Sequence, residues 1–388
     1  MLDVAIIGGG VCGLALAHSL QARGLGWALF EGGDRLGGRV LTVEGENGAA
    51  LDLGATWYWP DTQPVIAQLV ADLGLPTLAQ PDDGQVWLLD DASRPPSARA
   101  YDAANGQLLE GAAPTPGSLH AGARRLAGGM QTLAARLPAT RLHLGQPLRG
   151  LRDLGDTVAL AFADGTTLQA RRVVLALPPR LALECLSFTP ALPQAVQATM
   201  GATPTWMAHA AKAAVPCATA SWRDQGLSGN AWVTHAQAVL AEVFDASGPA
   251  GAALAGFVAL PADQRPRFER SLPLLLHSQL AMLFGQTLQP LGPHWQDWAQ
   301  NPLCCSLLDR QEDGRAGHPG QAGDAHQALL QAPLWQGRLW LGGSETARQG
   351  TGYLEGALRS AGRLRAELSR AALAPVLSSR HDICKTLT

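Results

Sequence analysis

Leu2-Asp3-Val4-Ala5-Ile6-Ile7-Gly8-Gly9-Gly10-Val11-Cys12-Gly13 is a β-branched, apolar run that leads straight into a glycine loop. The run reads as a buried strand, and the residues beyond the loop read as a helix from Val11 to about Arg23. A second apolar run, Trp27-Ala28-Leu29-Phe30, ends on Glu31, eighteen residues past Gly13. Strand, GxGxxG, helix, strand and acid in this order are the parts of a dinucleotide site. Gly8 permits the tight turn, Gly10 lets the backbone approach a pyrophosphate, and Gly13 lets the helix lie close on the strand. The amides at the helix start, Val11 and Cys12, then face the phosphates. Glu31 is placed to accept hydrogen bonds from the adenosine ribose hydroxyls.

Further stretches narrow the reading. Glu31 is followed by Gly32-Gly33-Asp34-Arg35-Leu36-Gly37-Gly38-Arg39-Val40 and then by Leu51-Asp52-Leu53-Gly54-Ala55-Thr56-Trp57. Near the other end stand Gly342-Gly343-Ser344-Glu345-Thr346-Ala347 and Gly352-Tyr353-Leu354-Glu355-Gly356-Ala357. Between them lie the Gly128-Gly129 helix start, a strand pair either side of Ala163-Asp164-Gly165, and Val173-Val174-Leu175-Ala176-Leu177-Pro178-Pro179. Ala211-Lys212-Ala213 precedes Ser221-Trp222-Arg223-Asp224-Gln225-Gly226-Leu227-Ser228-Gly229. In this order the stretches resemble the flavin-dependent amine oxidases of the monoamine and polyamine oxidase type. The resemblance covers roughly residues 2–57 and 120–368 with gaps, and is weak over 76–118 and 230–330.

That resemblance implies an α/β fold in which a Rossmann-type FAD-binding domain, of the GR2-like flavoprotein kind, is interleaved with an α+β substrate-binding domain. The expected boundaries are 1–75, 118–203 and 331–370 for the first, 76–117 and 204–330 for the second, and a tail at 371–388. It implies bound FAD held by Gly8, Gly10, Val11, Cys12, Gly13, Glu31, Gly32, Gly38, Arg39, Gly54, Ala55, Thr56, Trp57, Leu148, Gly343, Ser344, Glu345, Gly352, Tyr353, Leu354 and Ala357. It also implies two catalytic side chains. Lys212 matches the lysine that holds a water against the flavin nitrogen and assists dioxygen, and its apolar surroundings, Ala208 to Val215, should lower its pKa. Tyr353 matches one wall of an aromatic cage that guides an amine to the flavin. The family's second tyrosine, beside a flavin-linked cysteine, has no counterpart in Trp298-Ala299-Gln300-Asn301-Pro302-Leu303-Cys304-Cys305. Non-covalent FAD and a substituted cage are therefore expected. The implied reaction is oxidation of an amine to an imine, with dioxygen reduced to hydrogen peroxide.

Composition sets the remaining bounds. A chain of 388 residues, 47% hydrophobic and 16% charged, is long enough for two domains with a large buried volume. A net charge of −3 gives no footprint for nucleic acid. The six cysteines show no CxxC spacing and read as reduced thiols of a cytoplasmic protein. The most apolar span, 238–260, is interrupted by Glu242, Asp245 and Gly248-Pro249, which argues against a membrane helix. The ten histidines lack metal-binding spacing. Of the eleven tryptophans, Trp57, Trp59, Trp87, Trp206, Trp222, Trp232 and Trp295 fall in segments expected to form a pocket. Alternatives stay open: an amino-acid oxidase reading a carboxylate with Arg99, Arg223 or Arg348, a desaturase, an amine dehydrogenase, or a non-catalytic flavin binder. Oligomeric state, a homodimer included, is not legible.

Overall fold

The computed structural model describes all residues except 22–23, 82–83, 103–106, 110–119, 121, 138–139 and 374–388. The strand Leu2–Ile7 lies between two parallel partners, Trp27–Phe30 and Thr167–Leu175, which is why its residues are apolar on both faces. The helix Val11–Leu20 leaves the carboxyl end of that strand and packs against the last helix, Leu354–Leu373. The sheet continues outward through Leu142–His143 on one side and through Val158–Phe162, Leu148–Asp153 and Ser187–Thr189 on the other.

The strand expected just after Ala163-Asp164-Gly165 and the separate Val173–Leu177 run are one strand, Thr167–Leu175. Its first half pairs antiparallel with Val158–Phe162 (Val158 opposite Ala170), and its second half pairs parallel with Leu339–Leu341 (Val173 opposite Leu339). The chain thus returns, after more than 160 residues, to the sheet that it opened. The final helix runs to Leu373, three residues beyond the expected boundary at 370, and most of the expected tail lies outside the described residues.

A second sheet carries, in spatial order, His294–Asp297, Ala211–Cys217, Ala252–Val258, Leu240–Asp245, Leu227–Val233, Gln85–Leu89, Ser97–Asp102 and Gln107–Leu109. The stretch after 81, whose glycines and prolines read as irregular structure or short strands such as Gln85 to Leu89, adds three strands to this sheet. Polar and proline residues between short apolar runs hid all but the first of them. The apolar span 238–260 is two of its strands.

Strand alternation sorts the Ala211–Cys217 side chains. Ala211, Ala213, Val215 and Cys217 pack towards the helix Leu272–Phe284, in one core with Leu276, Leu280 and Phe284. Ala214 faces the opposite way, into a core with Leu51, Leu53, Phe244 and Ala255. Lys212 shares that second face, and it is the face turned towards the first sheet.

Candidate active site

A cavity of about 500 Å³ begins at the glycine loop and ends on the inner face of the second sheet. Its first part is built by the Leu2–Gly13 unit. Gly8 has φ +106°, and a Cβ there would lie 2.5 Å from the Ala176 carbonyl oxygen. Gly10 opens to the cavity, its nearest neighbour being the Cα of Gly38 at 4.0 Å from a notional Cβ. Gly13 is not a lining residue; a Cβ there would strike the Gly8 carbonyl, so this glycine serves the packing of helix on strand. The helix begins with no side-chain cap and no acid in its first turn, leaving its first amides to the cavity. Glu31 lines the same end. Its carboxylate accepts from the amides of Gly9 (2.6 Å) and Gly33 (2.8 Å), which holds it against the loop.

Arg39 joins three distant segments. Its guanidinium forms a two-pronged ion pair with the fully buried Glu345 (2.7 and 3.0 Å), donates to Ser344 Oγ (3.1 Å) and donates to the Trp206 carbonyl (2.8 Å). Glu345 also accepts from Ser344 Oγ (2.8 Å) and from the Trp206 amide (3.3 Å). Its carboxylate is thus engaged by protein groups.

Lys212 is 2% exposed and lines the cavity. Its Nζ donates to Thr56 Oγ1 and to the Gly54 carbonyl (3.2 Å), both in the Leu51–Trp57 motif. It stands 4.9 Å from the Trp57 ring centre, 5.1 Å from Phe244 and 5.5 Å from Phe257. Burial among these rings pulls its pKa down to about 8, against the opposing pull of Asp52. Asp52 is buried too, and burial lifts its carboxyl to about 6 even though Thr42 Oγ1 (2.6 Å) and the Met130 amide (2.8 Å) donate to it. Beyond Lys212, strand register places Phe257 and then Glu242 in one row across the sheet. Glu242 bonds His120 at 2.6 Å, and His120 stacks on Trp57 with ring centres 3.7 Å apart.

Tyr353, 38% exposed, lines the cavity with Gly352, Leu354 and Ala357 at the start of the last helix. Near it stand Trp206, 6.4 Å away between ring centres, and His318, 5.4 Å away.

Every expected site residue except Gly13 lines this one cavity: Gly8, Gly10, Val11, Cys12, Glu31, Gly32, Gly38, Arg39, Gly54, Ala55, Thr56, Trp57, Leu148, Lys212, Gly343, Ser344, Glu345, Gly352, Tyr353, Leu354 and Ala357. Trp59, His120, Leu181, Met207, Phe257 and Trp298 line it as well and were not singled out as site residues. Only alternation on the Ala252–Val258 strand could have pointed to Phe257; Leu181 sits on the short helix Pro179–Cys185, Trp298 on a single 3₁₀ turn and the rest in loops or turns, with no such signal. Of the tryptophans expected near a pocket, Trp57, Trp59 and Trp206 line it. Trp222 is instead a core residue whose Nε1 donates to buried Asp245 (2.9 Å). Trp87 and Trp295 pack against the core under the second sheet. Arg223 is committed to the same Asp245 (2.7 Å), which removes it as a reader of a substrate carboxylate. Arg348 is exposed and does not line the cavity, and the Arg99 side chain lies outside the described residues.

The residues fit FAD: an elongated cavity, a glycine cradle where Cβ atoms would intrude, an uncapped helix start and a carboxylate at one end. Comparison with known proteins agrees. The family model for flavin containing amine oxidoreductase matches residues 11–114 and 117–364, and the chain belongs to that family. It is 27% identical to putrescine oxidase from Kocuria rosea, over 94% of this chain and 94% of that one. It is 23% identical to flavin-containing amine oxidase B of Canis lupus familiaris, over 95% of this chain and 86% of the relative. Among solved structures, cyclohexylamine oxidase from Brevibacterium oxydans superposes with a TM-score of 0.75 at 19% identity, covering 96% of this chain and 99% of that one. Putrescine oxidase bound to putrescine gives 0.72 at 21%, covering 95% and 99%. The fold is therefore the α/β amine-oxidase flavoprotein fold, and the chain is an FAD-dependent oxidoreductase acting on amines. Among the described residues no helix is long and apolar enough to cross a membrane.

Proposed function

We propose that this enzyme oxidises a small primary amine to the imine, which water hydrolyses to an aldehyde or ketone, with Lys212 and Tyr353 as its catalytic residues and non-covalent FAD as its cofactor. The chemistry FAD supplies when bound is acceptance of a hydride from the carbon bearing the amine, with dioxygen as final acceptor and hydrogen peroxide as product. The observation that carries the reading is the burial of Lys212 in the wall of the same cavity that the glycine loop opens.

The glycine cradle and the start of the Val11–Leu20 helix hold the pyrophosphate, Glu31 the ribose, and Gly32 and Leu148 the adenine end. Residues Gly54 to Trp57, Gly352 to Leu354 and Ala357, which line the cavity, would hold the cofactor's ring system. The last helix starts there, so its dipole favours negative charge on the reduced ring. Lys212 offers a donor fixed by Thr56 and Gly54, able to hold a water or to place positive charge beside dioxygen. Tyr353 supplies an apolar wall that tolerates a passing cation. Trp57, Phe244 and Phe257 exclude water, so the amine is presented deprotonated and no side-chain base is needed.

Non-covalent attachment is supported by Cys304. It is the one cysteine of the Cys304-Cys305 pair at the cavity, and burial pushes its thiol up to about 11, leaving little thiolate to react. We infer a division into an FAD domain at 1–75, 118–203 and 331–370 and a substrate domain at 76–117 and 204–330; the separate memberships of the two large sheets support it. We infer a cytoplasmic enzyme, working alone or as a homodimer. Putrescine and cyclohexylamine, named for the similar structures, are the unbranched and the branched amine to compare first. A peroxide-coupled assay over a panel of amines, amino acids and N-substituted amines tests the reading. Peroxide with primary amines supports it. Turnover only with amino acids, or only with an artificial electron acceptor, would replace it.

A further inference from the structure

We propose that Trp206 is the specificity-determining residue of this site, a fixed wall that admits slender amines and rejects those branched beside the nitrogen. The inference rests on the amine-oxidising reading above and adds to it the class of amine.

Trp206 is held more firmly than a loop residue needs to be. Arg39 donates to its carbonyl (2.8 Å) and Glu345 accepts from its amide (3.3 Å), so one buried ion pair grips both sides of the residue. The preceding amide, of Thr205, donates to Asp309 (2.9 Å), which is itself paired with buried Arg180. The next residue, Met207, sits at φ +58°, a left-handed conformation that costs a methionine on the order of 1 kcal/mol and persists only where neighbours enforce it. The indole has no space behind it. Gly352 has φ +82°, and a Cβ there would lie 2.8 Å from the Trp206 Cβ and 2.9 Å from its Cγ, so the ring rests on backbone. His318 closes an edge, 4.4 Å between ring centres at 65°.

A side chain backed by backbone and pinned at three successive residues cannot swing aside when a substrate arrives. Elsewhere in the same cavity Trp57 and Phe257 stand around Lys212, packed against the core beneath. FAD and the amine share this one cavity, with Trp206 and Tyr353 both in its lining. Rigid walls turn one extra methyl group into a rate penalty, because interiors do not deform to accept it.

The test compares FAD-loaded wild type, Trp206→Phe and Trp206→Ala on n-butylamine and sec-butylamine, which differ in branching at the reacting carbon. The ratio of kcat/KM for the branched over the slender amine should rise about tenfold or more in Trp206→Ala, with Trp206→Phe between. A second readout needs no turnover. tert-Butylamine has no hydrogen on the carbon bearing nitrogen and cannot be oxidised, so its binding can be followed by the change in flavin absorbance. Its dissociation constant should fall about tenfold in Trp206→Ala. Unchanged ratios and unchanged binding in both variants would overturn the proposal. So would a Trp206→Ala protein that loses FAD together with a Trp206→Phe protein of wild-type preference, since the role would then be structural. If wild type oxidises no amine at all, the reading of the reaction fails, while the tert-butylamine titration still reports on the wall.

Discussion

Replacing Lys212 by methionine separates a catalytic lysine from a structural one, because the two roles predict opposite stability changes. Burial lowers the Lys212 pKa from 10.5 to about 8, a shift worth about 3 kcal/mol at neutral pH, where the folded protein must hold the ammonium away from water. Methionine, of similar length and apolar, removes that cost and gives up two hydrogen bonds, to Thr56 and Gly54, worth roughly 1 kcal/mol each. The variant should therefore be as stable as wild type at pH 7, or more stable by up to about 1 kcal/mol. Between pH 8 and 10.5 the unfolded chain keeps the lysine proton that the folded chain has lost, so wild-type stability rises with pH in that window. The advantage of the variant should disappear within about one pH unit above 8 and reverse, leaving wild type more stable by about 2 kcal/mol near pH 10.5. Asp52, lifted to about 6 by burial, loses a cation that holds it down and should titrate higher still. Activity should move the other way: peroxide production falls about 10²- to 10³-fold, as expected for loss of one preorganised electrostatic group, with FAD still bound. Thermal melts at neutral and alkaline pH, flavin content and an oxygen-electrode assay are the measurements. Unchanged peroxide production would remove Lys212 from the chemistry. A melting temperature lowered in step with lost FAD would make it a structural residue.

The glycine loop, the buried ion pair and the cavity cysteine each carry an expectation of their own. Gly13→Ala should abolish folding or FAD retention, because its Cβ would overlap the Gly8 carbonyl; soluble, yellow protein would contradict the packing argument. Glu345→Gln leaves the partly exposed Arg39 with a weakened partner and should cost about 2 kcal/mol in urea denaturation while loosening Trp206; an unaltered midpoint would show the ion pair to be dispensable. Acid precipitation should release all flavin to the supernatant, since neither the position nor the protonated thiol of Cys304 favours a covalent link; a yellow pellet would refute this.

The amino-acid order alone determined the nucleotide half. Local signals sufficed there, because a glycine loop between strand and helix, an acid at fixed spacing and the GGR, DLGAT and GSETA stretches each encode their own backbone conformation. These short motifs also named about half of the residues of that half which line the cavity, and missed Gln146, Pro147, Leu181 and Leu186 among others. What they could not reveal is anything set by partners distant in sequence. The nine-residue strand Thr167–Leu175 looked like two because its halves answer to different neighbours, one of them Leu339–Leu341. Arg223 looked available until folding brought Asp245 against it, and Arg39 and Glu345 looked like separate cofactor ligands until the fold made them a pair. His120, Phe257 and the grip on Trp206 depend on two sheets facing each other across one cavity. No spacing along the chain encodes that meeting; only tertiary packing, which makes hydrogen-bond partners of residues up to 331 positions apart, decides it.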